Sequence, residues 1–253
     1  MLSKIWRKMV ERLSFFLLPF GQIAYGQNAE DIVLAKFLDE RLKNKQKGFY
    51  IDIGAHHPFR YSNTYYFYRR GWRGLNIDAD EKAIQLFKLF RPRDINVQAL
   101  VAKENKLRSY YIFSDRAFNT GDPHLAQAII KEKRARLLKK TPMRSEQLPK
   151  ILHQYLPTSQ KVDFLSIDVE GLDEEVLQAY DFVHFAPSYL LIEDLNFINN
   201  LSRKNLNLRF RPLKSACNRP IVFENKFLGV FLMGFILQKV WPSKFSIFNR
   251  SVI

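Results

Sequence analysis

Short apolar runs that end on or beside a carboxylate constrain this chain more than any other feature. They are Phe49-Tyr50-Ile51-Asp52-Ile53, Leu75-Asn76-Ile77-Asp78, Val162 to Asp168 and Ser188 to Glu193, with a similar run from Ile95 to Val101. Each has the length of a strand, and continuous apolar character marks a strand buried on both faces. Between them, helical spacing is carried by Ala29 to Leu42, Asn63 to Arg70, Glu81 to Phe90, and the stretch holding Leu172, Val176, Leu177 and Tyr180. Asn28 and Asp80 are placed to cap two of these helices, and Gly48 and Pro92 to end them. Strand alternating with helix predicts a doubly wound, mostly parallel α/β sheet with helices on both faces. Leu107 to Phe113 predicts a further strand, a hairpin partner for Ile95 to Val101. The extended tail from Leu206 to Phe223 predicts the last, antiparallel strands.

A chain of 253 residues is long enough for one large domain with appendages. The domain is expected over 25–226, with a basic helical insertion near 124–150. Residues 1–24 form one appendage. There Leu2, Ile5, Trp6, Met9, Val10, Leu13, Phe16 and Leu17 share one side of a helical wheel, opposite Lys4, Arg7, Lys8, Glu11 and Arg12. Its only continuous apolar run before Pro19, Phe15 to Leu18, is too short for a secretory signal, so a cytoplasmic location is expected. Residues 227–253 form the other appendage, where the apolar run Phe227 to Leu237 is shorter than the roughly 20 residues a membrane span needs. The two ends together predict peripheral contact with an anionic membrane at its inner face. A lone Cys217 excludes a disulfide scaffold and any multi-cysteine metal site. The net charge of +15 is concentrated over 125–150 and 203–253, while 151–202 is acidic, which points to an anionic partner for the basic patches.

In a doubly wound sheet, ligands bind at the carboxyl ends of the strands beside the topological switch point. The residues there are Asp52 and Gly54, Asp78, Asp168 and Glu170, and Glu193 and Asp194. A carboxylate 26 residues after Asp52, at the end of the second strand, is suited to accept hydrogen bonds from both ribose hydroxyls of a nucleoside. The first loop, Ile53-Gly54-Ala55-His56-His57-Pro58, lacks the further glycines that let backbone approach a pyrophosphate. That argues against NAD and for a nucleoside without phosphate, as in S-adenosylmethionine.

Several segments resemble FkbM-type S-adenosylmethionine-dependent methyltransferases: Gly26 to Asp31 (GQNAED), Phe49 to Pro58 (FYIDIGAHHP), Tyr61 to Thr64 (YSNT), Gly71 to Asp78 (GWRGLNID) and Asp163 to Leu172 (DFLSIDVEGL). They follow in the family's order from about Gly26 to Asp194. The resemblance implies a class I methyltransferase fold with S-adenosylmethionine as cofactor. It places Asp52 and Gly54 at the methionine-side loop, Asp78 on the ribose, Asn63 and Thr64 at the helix start facing that loop, and Ala99 and Leu100 near the adenine. It also places Asp168 and Glu170 beside the reactive methyl. Members closest in pattern accompany surface-polysaccharide genes, which implies a glycan or lipid-linked sugar hydroxyl as acceptor. The basic stretch from Lys131 to Lys140 and the two ends depart from the family pattern and inherit nothing.

Methyl transfer from a sulfonium needs an aligned acceptor and, for a hydroxyl, a base. The candidates for that base are Asp168, Glu170, His56 and His57, and an unperturbed imidazole has the most suitable pKa. Asp168, Glu170 and Asp194 offer hard oxygen ligands for magnesium, but strand-end carboxylates are common in this fold and no metal is expected. His124, His153 and His184 show no ligand spacing and are read as surface residues. The alternatives are an RNA methyltransferase and an inactive binding protein on the same fold. The net charge favours the first, yet 125–150 holds no aromatic residue for base stacking. The retention of Asp52, Gly54 and Asp78 argues against the second.

Overall fold

The computed structural model describes residues 23–44, 46–192, 210–213 and 221–225. Short helices Glu30–Phe37 (α1) and Asp39–Lys43 (α2) lead into strand Phe49–Ile53 (β1). Helix Tyr65–Tyr68 (α3), strand Arg73–Asp78 (β2), helix Glu81–Phe90 (α4) and strand Ile95–Gln98 (β3) follow. Three strands, Leu100–Ala102 (β4), Leu107–Phe113 (β5) and Leu137–Gln147 (β6), enclose helix Pro123–Lys131 (α5). The chain continues through helix Leu148–Tyr155 (α6), strand Val162–Ile167 (β7), helix Asp173–Gln178 (α7) and strand Pro187–Ile192 (β8). Phe210–Leu213 (β9) and Ile221–Asn225 (β10) complete the described strands.

Seven strands form the main sheet in the order β3-β2-β1-β7-β8-β10-β9. The first five are parallel, whereas β10 runs antiparallel to both β8 and β9. Numbered within this sheet alone, the order is 3-2-1-4-5-7-6, and it reverses between β1 and β7. The predicted α/β doubly wound sheet with antiparallel last strands is therefore the observed one.

Alternation along the buried strands sends side chains to two cores. Ile51, Ile53, Leu165, Ile167, Leu190 and Ile192 join Leu148, Ile151 and Leu152 of α6 and Val176 and Leu177 of α7 on one face. Tyr50, Phe164 and Leu191 face the other way, onto Leu34, Ala35, Phe67 and Trp72. One packing contact is absolute: a Cβ on Gly74 would lie 1.9 Å from the Tyr50 ring.

Several local expectations are corrected. The helix expected over Ala29 to Leu42 is broken after Phe37, and Asn28 does not cap it. Ala29 sits at the cap in the left-handed region (φ 62°), while Asn28 donates its backbone and side-chain N–H groups to Glu30. The helix expected from Asn63 starts at Tyr65, whose N–H is taken by Ser62 Oγ at 3.1 Å. Asp80 does cap α4, accepting the Lys82 N–H at 3.0 Å.

The run Ile95 to Val101 divides at Ala99 and does not pair with β5. Ala99 donates its N–H to the Asp78 carbonyl at 3.0 Å, after which β4 joins a second sheet of order β4-β6-β5. The basic insertion is not helical throughout: α5 ends at Lys131, and β6 pairs antiparallel with β5. Among the described residues, β6 has a neighbour on one side only over Leu137 to Arg144, since β4 meets it at Ser145 to Gln147. Lys139, Lys140, Arg144 and Pro142 thus occupy an edge, where charge and a missing N–H are tolerated.

Residues 1–22 and 227–253, with the two appendages' expected segments, lie outside the described residues, as do Glu193 and Asp194. Among the described residues no helix is long and apolar enough to cross a membrane.

Candidate functional site

A cleft of about 910 Å³, part of it open solvent, lies at the carboxyl ends of β1, β2 and β7, where the strand order reverses. Its floor is laced by backbone. Gly54 N–H reaches the Ile77 carbonyl at 2.9 Å, and Asp168 N–H reaches the Ile53 carbonyl at 2.9 Å. Gly54 has φ 79°, and a Cβ there would stand 1.7 Å from the Asp168 carbonyl oxygen. Only glycine fits this crossing of two strand ends.

Asp78 lines the cleft with both carboxylate oxygens held. Oδ2 accepts the His56 N–H at 2.7 Å and Oδ1 the Asp80 N–H at 2.7 Å. Those two bonds fix its plane and leave lone pairs for a ligand. Burial pushes its carboxyl up to about 6, against the pull of the same two N–H groups.

Asp52 is fully buried behind the floor and accepts from Thr64 Oγ1 at 2.7 Å. Thr64 accepts in turn from Arg91 at 3.0 Å. Arg91 has no solvent exposure; it pairs with Asp94 at 2.9 Å and donates to the Tyr50 hydroxyl at 2.6 Å. Asp94 also accepts from Tyr50, Asn76 and the Gly74 N–H. A buried cation thus stands behind the end of β1, joined to Asp52 through Thr64. Arg91 precedes Pro92, which disfavours helical geometry for the residue before it, so the side chain turns into the core at the end of α4.

Asp168 and Glu170 both line the cleft. Glu170 holds a left-handed conformation (φ 49°), and its carbonyl accepts from Thr120 Oγ1 at 2.6 Å. The following turn is pinned by Asp173, which accepts from the N–H groups of Val169 and Gly171.

Of the residues singled out in the sequence, Asp52, Gly54, His56, Asn63, Asp78, Ala99, Leu100, Asp168 and Glu170 meet at this cleft. Thr64 and His57 do not line it. Thr64 acts from behind through Asp52, and His57 Nδ1 accepts two backbone N–H groups, from Phe59 and Arg60, each at 3.1 Å. The two loop histidines do not keep the ordinary imidazole value. Burial and Arg60 lower both imidazoles, His56 to about 4. His56 is neutral at physiological pH, and its Nε2 is buried with no partner among the described residues.

Strand β5 and the connection that follows it supply a wall that the sequence reading missed. Tyr110, Arg116, Asn119, Thr120 and Gly121 face the strand ends, with Arg116 and Asn119 both bonded to the Asp80 carboxylate. A smaller lobe of about 370 Å³ adjoins the cleft, lined by Gln27, Asn28, Glu30, Tyr61, Asn63 and Asp168 among others. Gly26 permits this approach, since a Cβ there would meet Glu30 Oε2 at 2.5 Å. Tyr61 stands at the mouth of both lobes, stacked on His56 and covered by the Arg60 guanidinium at 4.5 Å. His153 and His184, read from the sequence as surface residues, are exposed, and both also contact Asp181.

Although the chain is strongly basic, the acidic and basic groups lining the cleft among the described residues are Asp52, Asp78, Asp80, Asp168 and Glu170 against Arg116. A 3-2-1-4-5-7-6 sheet, with a cleft at its switch point and a carboxylate held at the end of the second strand, defines a class I methyltransferase fold. The sequence profile of the Methyltransferase FkbM domain matches residues 52–216, and the chain belongs to that family. It is a methyltransferase. No curated protein matched the chain in a sequence search. Gln27, which lines both lobes, and Asn28, which lines the smaller one, precede the matched span.

Proposed function

We propose that this methyltransferase uses S-adenosylmethionine to methylate a hydroxyl oxygen of a glycan or lipid-linked sugar. The acidity of the cleft carries the choice of donor. Five carboxylates against one guanidinium, itself paired with Asp80, suit a ligand bearing a sulfonium and an ammonium and oppose the phosphates of a dinucleotide. Asp78 fits the ribose, with its two oxygens oriented by backbone and lone pairs remaining. The buried, partnerless His56 Nε2 beside it is a polar atom that a ligand group would satisfy. When bound, the donor supplies a methyl group on a good leaving group.

The smaller lobe favours a neutral, hydroxyl-rich acceptor. Amides of Gln27, Asn28 and Asn63, the Glu30 carboxylate and an aromatic face on Tyr61 are the groups that bind sugar hydroxyls and ring faces. Asp168 borders both lobes and is the foremost base candidate, with Glu170 next to it. The same acidity weighs against RNA as acceptor, whose phosphates would meet carboxylates.

Incubating the protein with methyl-labelled S-adenosylmethionine and either cell-envelope glycan or total RNA tests this reading. Label is expected in the glycan. Label confined to RNA would overturn the acceptor assignment. Asp168→Asn is expected to lower kcat on the true acceptor with little change in donor affinity; unchanged turnover there and in Glu170→Gln would remove both as base.

A further inference from the structure

At the edge of the main sheet opposite the cleft, three residues from two distant segments converge. His153 lies in the last turn of α6, which leads into β7, while Asp181 and His184 immediately precede β8. Both places are at the amino ends of their strands, whereas the cleft is at the carboxyl ends. Asp181 Oδ2 is 2.9 Å from His153 Nε2 and 2.8 Å from His184 Nδ1. One ligand atom from each residue lies within 4.8 Å of the other two.

The group is held before any ligand arrives. Asp181 Oδ1 accepts the N–H groups of Val183 and His184, at 3.0 and 3.1 Å, which turns Oδ2 toward the rings. The His153 ring packs edge-on against Phe185 at 5.2 Å and against His184 at 5.1 Å. Helix α6 is itself seated by buried Leu148, Ile151 and Leu152. The two imidazoles remain 41% and 48% exposed, so an ion can enter from solvent and keep a water ligand.

We propose that His153, Asp181 and His184 bind a divalent transition metal ion, Zn²⁺ foremost, which fastens α6 to the connection entering β8. Two imidazole nitrogens and one carboxylate oxygen form a borderline donor set that suits Zn²⁺ and its first-row neighbours. Mg²⁺ and Ca²⁺ favour oxygen ligands. Ligand bonds of about 2.0–2.1 Å in a tetrahedral site place ligand atoms roughly 3.3 Å apart, so the two spacings to Asp181 need widen by only a few tenths of an ångström while the two ring nitrogens, within 4.8 Å of each other, settle to the same separation. Each ring can carry its hydrogen on the nitrogen facing away, which frees the inward lone pair. The ligands join points 28 residues apart in the chain, so the ion would close a loop that the fold otherwise holds by packing.

The test uses the full-length chain without a histidine tag, stripped of metal. Calorimetric titration with ZnCl₂ is expected to give one ion per chain, and Co²⁺ to give the visible bands of a tetrahedral site. His184→Ala and Asp181→Asn should each weaken Zn²⁺ binding by more than the roughly tenfold that loss of an outer-shell partner costs. His124→Ala should leave it unchanged. Zn²⁺ should raise the thermal midpoint of the wild type and not that of the His153→Ala/His184→Ala double variant. Absence of saturable one-to-one binding, or equal affinity in the double variant, would overturn the site. Equal binding of Mg²⁺ would do the same.

Discussion

Asp78 shows how one residue carries two opposed pH responses. Its carboxyl is raised by burial to about 6 in the free protein, above the ordinary value of 3.8. Ribose hydroxyls would hydrogen-bond to the ionised form, so donor affinity is expected to be full above that value and to fall as pH drops through about 6, approaching tenfold per unit. Stability moves the other way: a raised acid binds its proton more readily in the folded state, so at this group acidification between about 6 and 3.8 favours the fold. Calorimetric donor titrations at several pH values, paired with melting curves, separate the two. Asp78→Ala should weaken donor binding by about 1.5–3 kcal/mol, the range for a charge-assisted hydrogen bond, and should flatten this pH dependence. Unchanged donor affinity in that variant would remove Asp78 from the ribose. His56 teaches the complementary lesson. Its residue type suggests a base, but the site in which it is buried makes it a poor one, and no sequence pattern reports burial of a loop side chain.

At the level of elements, the buried Arg91 group ties the end of α4 to β1, β2 and the Ser62–Thr64 segment. Removing the cation while leaving Asp94 buried should be costly. Arg91→Met is expected to destabilise the fold by about 3–5 kcal/mol, measured by chemical denaturation. A change below about 1 kcal/mol would mean that the network is not held together by its charge. The parallel strands β1, β2, β7 and β8 were legible within a residue or two because each is a continuous apolar run, and so was α4, with its Asp80 cap and its amphipathic spacing. The second sheet was not. The lysines and Pro142 of β6 spoil any strand pattern, and they are tolerated only because the opposite edge of that strand is unpaired along most of its length. The division at Ala99 was hidden for another reason. Ile95 to Val101 is uniformly apolar enough to be one strand, and only the hydrogen bond to the Asp78 carbonyl shows where the chain leaves the main sheet. The candidate site was read through its strand-end acids and missed in its wall, because Tyr110 comes from a sheet that the sequence does not announce and Arg116 and Asn119 from the short turn that follows its strand β5. The Asp181 cluster was missed because its ligands are assembled by the fold, with no spacing along the chain to mark them.

The whole molecule sets a net charge of +15 against an acidic cleft. The basic, amphipathic 1–18 segment remains our proposed membrane contact. Full-length protein is expected to co-float with anionic vesicles at low salt and to lose most of that binding when Met1 to Leu18 are deleted. Equal flotation of the truncated protein would assign the contact elsewhere. The departure of the chain at Ala99 has a broader consequence. Everything from Leu100 to Tyr155 is an excursion between two strands of the main sheet, joined to the residues at the strand ends by such bonds as Thr120 to Glu170 and Arg116 to Asp80. That excursion is not a detachable cap: Leu100, Tyr110 and, from α6, Leu148, Ile151 and Leu152 share one core with Ile51, Ile53, Leu165 and Ile167 of the main sheet. The wall of the cleft and its floor are thereby one packed body, so a core substitution in the excursion is felt at the strand ends, whereas a change of charge along Lys139 to Arg144 of β6 is not.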